Sequence, residues 1–439
     1  MRLSAWWQIL LALLVRCSAQ TIVPSLCEEE FCRCDSFTRL HCNCTDTNPD
    51  VVLRADGAYR VPSTATAIII YGCQRVQFLP ETVRNLIQLR NIEISDSQNV
   101  VIDDRAMAWS PFSRHDEMTP GIRIVIQNST ISEISAYAIQ GRVNDIILNR
   151  NRIFHMEPFA FSSLIGVKNI QLTDNIFENI DMQAFKQFTT QTFQLRGGVI
   201  GTLPSRFLSD VEVTDLFWME GVRVNSINSM TFLINSPKRV IVEGNRIGTL
   251  QGDGFLISTR GPVTFRNNTV TIVRNGAFHG FSVQRETVSV LGRQELLLDN
   301  NTVTELMPSA LTYNNTLSLR IDGLKLNRTC SCELTEDWHS MLVEHGGTIS
   351  CWYSLEDHFV SLPTFINNRC GEFKQTFWIY VVITFVVVIV IAIAITIWWI
   401  RSQNRKKKSK VQIVMPDGKT YRETEIYIME RAELLTTDL

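Results

Sequence analysis

A unit of about two dozen residues recurs between Ile68 and Leu324, and its spacing narrows the folds open to this chain more than any other feature. The clearest copy reads Ile146-x-Leu148-x-x-Asn151-x-Ile153-x-x-Met156, with Ala160-Phe161 downstream. The next reads Ile170-x-Leu172-x-x-Asn175-x-Phe177-x-x-Ile180, with Ala184-Phe185 downstream. A unit this short cannot enclose its own apolar edge. Stacked copies bury that edge in one continuous core and leave a long, regular surface outside, which is the architecture of a recognition scaffold.

Anchored on the two apolar strand positions, eleven copies begin at Ile68, Ile92, Ile124, Ile146, Ile170, Phe193, Phe217, Val240, Val263, Leu296 and Leu317. Two steps are longer, and their extra residues, Ser110–Pro120 and Phe281–Gln294, read as loops grown from one side. Alternation in the strand segment turns every second side chain inward, and the Ile, Leu, Val and Phe found there suit a buried pleated surface. Asn151, Asn175, Asn245, Asn268 and Asn301 fall five residues after an anchor, where an amide side chain can satisfy backbone groups in a turning chain.

These residues resemble the extracellular leucine-rich repeat family, whose pattern is L-x-L-x-x-N-x-L-x-x-L with a downstream Ala-Phe. The resemblance covers roughly Ile68 to Leu326 and is degenerate. Ile and Val often replace Leu, and Cys73, Ser97, Ser129, Gly198, Val222 and Asp322 stand at the Asn position of the other copies. It implies an α/β-type solenoid, a leucine-rich repeat horseshoe with short parallel strands. A parallel β-helix, which also builds apolar strand ladders, is the alternative.

The cysteines mark the ends of the array. Apart from Cys17, they form a front group of Cys27, Cys32, Cys34, Cys42, Cys44 and Cys73, and a rear group of Cys330, Cys332, Cys351 and Cys370. A solenoid exposes apolar surface at each end, so it needs caps, and even cysteine counts in an exported chain read as disulfides. Six cysteines allow fifteen connectivities. The rear group resembles the family's C-terminal flanking cap, including Trp338, which implies Cys330–Cys351 and Cys332–Cys370. The front group resembles the N-terminal cap, which implies Cys27–Cys34 and Cys32–Cys42 and leaves the extra Cys44 for Cys73. Zinc is the rival reading of the C-x-C pairs, and no matching His ligands accompany them.

Residues 1–19 read as a signal peptide, with Arg2, an apolar run to Val15, and Cys17-Ser18-Ala19 before the cut. Phe377 to Ile400 carries no charge and is long enough to cross a hydrocarbon core of about 30 Å as a helix. Trp378, Tyr380, Trp398 and Trp399 sit at its two ends as an aromatic belt, and Arg401, Arg405 to Lys408 and Lys410 follow it. That asymmetry puts the C-terminus in the cytoplasm and predicts a type I single-pass protein of the plasma membrane, cycling through endosomes.

N-x-S/T sites at Asn43, Asn128, Asn267, Asn300, Asn314 and Asn327 all precede the span and are candidate glycosylation sites. None lies between Ile146 and Val242, so those copies are the expected recognition face. Outward positions there include Gln171, Gln194, Trp218, Arg196, Glu220 and Glu243, with Arg266, Asp299 and Arg320 continuing the series. Mixed signs and a net charge of −2 exclude a polyanion groove for nucleic acid. Trp218 is a candidate anchor for a protein partner, although a one-residue register slip would turn it into the core.

In the tail, Glu430 with Leu434-Leu435 resembles an acidic dileucine signal read by clathrin adaptors, and Thr437 with Leu439 resembles a class I ligand of a PDZ scaffold. The basic run adds a secondary attraction to the anionic lipid bilayer. The seven histidines lack ligand spacing, and neither a nucleophile motif nor a phosphate-binding glycine loop is present. The expected organisation is signal peptide 1–19, front cap 20–67, repeats 68–326, rear cap and stalk 327–376, transmembrane helix 377–400 and tail 401–439. The expected function is a non-enzymatic receptor or adhesion protein, without cofactor. It would bind an extracellular or cell-surface protein, a second copy of itself included. A trafficking or structural membrane component governed by the dileucine signal is the alternative.

Overall fold

A computed structural model describes residues 25–45, 49–57, 60–109, 121–307, 309–332, 349–370, 372–408, 412–414 and 420–422. The signal peptide, Ser110–Pro120, Trp338, and the tail motifs at Glu430, Leu434, Leu435, Thr437 and Leu439 lie outside these residues.

The described residues from Ser25 to Phe365 form a β-solenoid of about twelve turns built from an 18-stranded and a 14-stranded sheet. One turn runs from the first-face strand Val167–Thr173 to the second-face strand Ile176–Ile180, then into Phe185–Arg196, which crosses a third face and becomes the next first-face strand. Between the two ends, strands pair in parallel with their neighbours one turn away, as Ile170 does with Ile146 and Phe193. The backbone of every turn is therefore satisfied by the turns beside it, and only the two ends need special treatment.

Ten of the eleven anchors lie in one unbroken register from Ile68 to Leu296. The eleventh does not. Leu296 pairs with Leu319, and Gln294 takes Leu317. The last copy therefore begins at Leu319, which puts Leu324 rather than Asp322 at the Asn position. One more turn precedes the first anchor, because Arg39–Asn43 pairs Leu40 with Ile68 and Cys42 with Ile70. A segment expected to be cap is the first rung.

A repeating backbone kink fixes this register. The residue four after each anchor has positive φ, between 47° and 72°, at Gly72, Asp96, Asn128, Arg150, Asp174, Gly197, Gly221, Gly244, Asn267, Asn300 and Gly323. All but Arg150 are Gly, Asn or Asp, the residues that tolerate this conformation best. At the next position, Asn side chains form a buried ladder. Asn151 Nδ2 donates to the Ile126 carbonyl at 2.7 Å, while its Oδ1 accepts from Ser129 N–H at 3.0 Å. Asn245, Asn268 and Asn301 repeat the arrangement with bonds of 2.7 to 3.1 Å.

The core between the faces is aliphatic toward the front and aromatic through the middle. Phe161 stacks on Phe185 at 4.4 Å, Phe232 on Phe255 at 5.0 Å and Phe255 on Phe281 at 5.4 Å, all fully buried. Between Phe185 and Phe232 the ladder position is Leu208. Phe207, in the slot that Ala160 and Ala184 fill elsewhere, contributes the missing ring edge-on to Phe185 and Phe232. The ring has moved one residue back along the chain, so this turn still supplies an aromatic to the core.

The return segments depart from the expected α/β character. They are strands, and among the described residues the α-helix within the array is Arg285–Leu291, in one of the two expected loops. The physical reason lies in the apolar positions. Ile153 and Met156, like Phe177 and Ile180, place two inward groups within one short segment, which an extended chain delivers to the core while pairing with both neighbours.

Both ends close with an antiparallel hairpin. At the front, Cys32–Cys34 pairs with Arg39–Asn43, and Cys27–Cys34 and Cys32–Cys42 are disulfides. Cys44–Cys73 ties the first turn to the second. At the rear, Ser350–Tyr353 joins the second face in parallel and then takes His358–Ser361 antiparallel. Cys330–Cys351 crosses this join, and Cys332 and Cys370 are each disulfide-bonded.

The described residues from Ile366 on form a separate unit. Its main element is the helix Glu372–Lys408, within which Phe377–Arg405 is long and apolar enough to cross a membrane. Gln412–Val414 and Thr420–Arg422 form a short antiparallel pair.

Candidate recognition face

Outward side chains on the first face stand one and three residues after each anchor, because the anchor and the residue two beyond it point into the core. Phe217 and Met219 are fully buried and Trp218 between them is half-buried, so Trp218 faces outward. Gln171, Gln194, Trp218 and Ile241 are register neighbours and form one column. Arg196, Glu220, Glu243 and Arg266 form the adjacent column. All six candidate contact residues are thus brought onto one band.

The band is bonded along the solenoid. Arg196 sits over the Trp218 ring at 4.5 Å and donates from Nε to Glu220 at 2.7 Å. Arg266 donates from Nη2 to Glu243 at 2.7 Å. That hydrogen bond pushes the Arg266 pKa above its ordinary value, and the charges of Glu243, Asp299 and Glu220 push the same way. Ion pairs this exposed add little stability. Their effect is to order long side chains, and side chains already ordered lose less freedom in any contact. The Trp218 indole N–H is covered and has no hydrogen-bond acceptor.

A third column, one residue before the anchor, escaped sequence reading. Asn169 Nδ2 donates to Asp145 at 2.8 Å and Thr192 Oγ1 donates to Asn169 Oδ1 at 2.8 Å. The signal available was position: these residues stand at one offset in successive copies.

The column three after the anchor changes character midway. Asn43, Tyr71, Ser95, Gln127, Asn149 and Thr173 are uncharged, whereas Arg196, Glu220, Glu243, Arg266, Asp299 and Asp322 are all charged. Asp322 replaces the expected Arg320, which the corrected register moves opposite Leu297.

Asn128, Asn267 and Asn300 occupy the positive-φ position of their turns. Asn128 Nδ2 donates to the Asp96 carboxylate, and Asn300 Nδ2 donates to Asn267 Oδ1 at 2.9 Å. Asn43 is exposed on the first turn and accepts from Thr45. Asn314 Oδ1 accepts from Thr316, and Asn327 is exposed on Lys325–Thr329. The chain matches no family model and no curated protein sequence.

Proposed function

We propose that this chain is a single-pass membrane recognition protein. Its solenoid, a divergent leucine-rich repeat array, stands outside the plasma membrane and binds an extracellular or cell-surface protein. The buried Asn ladder and the capping disulfides at both ends support the leucine-rich repeat reading. Disulfides persist outside the cytosol, and the apolar helix followed by a basic run supports the type I orientation.

The observation that carries the reading is the band Gln171-Gln194-Trp218-Ile241 beside Arg196-Glu220-Glu243-Arg266. It combines an aromatic anchor, side chains locked by lateral bonds, and a stretch of sequence without glycosylation sites. Binding, not catalysis, is the chemistry such a band supports. In the tail, the dileucine and PDZ-type motifs would couple a bound receptor to clathrin adaptors and a submembrane scaffold.

The test is to display the full-length chain on cells and probe it with a multimerised library of cell-surface and secreted proteins. A saturable ligand supports the reading. A screen without any ligand would shift the assignment to a trafficking component governed by the tail.

A further inference from the structure

The third face carries a groove, away from the band described above. On that face Ser163, Gln187 and Asp210 sit at positive φ in three successive turns, and the bulge then ends. From Leu208 to Val211 the chain takes three steps where the next turn, from Phe232 to Ile234, takes two. Asp210 therefore closes a column of inserted residues. A bulge re-aims the side chain it carries, and aspartate tolerates this backbone conformation.

Two hollows meet at Asp210. On one side lies an open cavity of about 180 Å³, with Leu233 and Leu256 in its wall. On the other, a hollow of about 420 Å³ takes in Ile165 and Glu212. The register column Thr189-Glu212-Asn235-Ser258-Ser282 runs along both. Four steps of about 4.8 Å make a groove about 19 Å long, the span of about six extended residues.

The charge of the groove selects its occupant. Asp210 and Glu212 form no ion pair among the described residues, and each accepts a long hydroxyl bond, from Ser209 at 3.4 Å and from Thr189 at 3.3 Å. On the other two faces the carboxylates are matched, Glu178 with Arg152, Glu220 with Arg196 and Glu243 with Arg266. Lys186, a register neighbour of Ser209, lies over the Phe159 ring at 4.7 Å. The groove thus sets carboxylates without a cation beside aliphatic surface, Ile165 being 51% and Leu256 39% exposed. Arginine supplies both complements. Its stem lies along apolar surface, and its guanidinium meets a carboxylate with two parallel donors.

We infer that the third-face groove binds an extended protein segment presenting an arginine, its stem on Leu233 and Leu256 and its guanidinium on Asp210, while Glu212 takes a second cation farther along the segment. This site does not depend on ligand binding by the first face.

The test immobilises the full-length chain in non-ionic detergent micelles and probes it with a streptavidin tetramer carrying a capped six-residue peptide of alternating arginine and valine. Tetravalent display brings a weak contact into range. Wild type should bind it saturably. The same peptide with citrulline for arginine keeps the shape without the charge and should bind at least about tenfold more weakly. Asp210→Asn keeps the size and suits the same backbone, and Leu256→Arg changes an exposed position; each should weaken binding about tenfold or more. Glu305→Gln removes one negative charge from the second face and should leave binding unchanged. Non-reducing mobility and thermal melting check the fold, and Leu256→Arg decides if Asp210→Asn misfolds. No binding by wild type, equal binding of the citrulline peptide, binding undiminished in either folded groove variant, or an equal loss with Glu305→Gln would each overturn the inference.

Discussion

Asn268 shows how much one side chain does in this fold. Its Oδ1 accepts from the Asn245 backbone and amide, and its Nδ2 donates to the Val242 carbonyl, with Asn268 itself buried. Asn268→Ala leaves these groups without partners and should destabilise the solenoid by about 2–3 kcal/mol, read from denaturant unfolding. The ladder is interrupted at Gly198 and Val222. Gly198 has φ +77°, and a Cβ would lie 2.1 Å from the Asn175 carbonyl oxygen, so the two turns approach more closely than a side chain permits. Gly198→Ala should cost more than about 1 kcal/mol, whereas Gly201→Ala, with room and ordinary φ, should be neutral or stabilise by about 0.5 kcal/mol. A thermal melt of the two variants side by side separates strain from simple loss of glycine. At this scale the sequence was legible where a position has one strong cause. The Asn at the fifth position was read correctly. The positive-φ position before it was not, although Gly323 marks it and would have placed the last anchor at Leu319 instead of Leu317. The same cause accounts for Asn128, Asn267 and Asn300 sharing a repeat position without any appeal to sugars.

Elements come next, and here the ends differ from the middle. The Cys44–Cys73 bridge spans 29 residues and fastens the first rung to the second at the place where the Asn ladder has no member. Replacing both cysteines by Ser should lower stability by about 2–4 kcal/mol and expose the front cap to proteolysis first. In the same cap, Asp35 accepts hydrogen bonds from the Arg39 backbone N–H, the Arg39 side chain and the Phe37 N–H. These hold its carboxyl below the ordinary value of 3.8, the Arg39 backbone contributing most. A folded pKa below the unfolded one means the ionised form supports the cap. That support is complete above the ordinary carboxyl pKa and disappears as pH falls through the folded value. Acid should therefore loosen the cap, and Asp35→Asn should remove that pH dependence in amide exchange at Phe37 and Arg39. Strand register was legible because β periodicity is strict: ten anchors agree, and Trp218 lies on the outer face. The return strands were not, because two apolar residues three apart fit a helical turn and an extended bulged segment equally well, and only pairing with both neighbouring turns favours the strand.

For the whole molecule, sequence alone indicated a capped solenoid and an apolar helix, because repetition, paired cysteines and an uncharged run each have one strong physical cause. It gave no sign of the groove on the third face, since Ile165, Asp210 and Leu256 lie far apart along the chain and only stacking of the turns gathers them. The trafficking alternative predicts that Leu434→Ala with Leu435→Ala moves the protein from endolysosomes to the cell surface, which quantitative imaging would measure; an unaltered distribution counts against the dileucine reading. Recognition by the central band is tested by comparing ligand binding to full-length variants displayed on cells at matched density. Trp218→Ala and Glu220→Arg should each weaken the saturable ligand by about tenfold or more, while Gly201→Arg on the second face leaves its affinity unchanged. Undiminished binding by both first-face variants would contradict the assignment of recognition to this band.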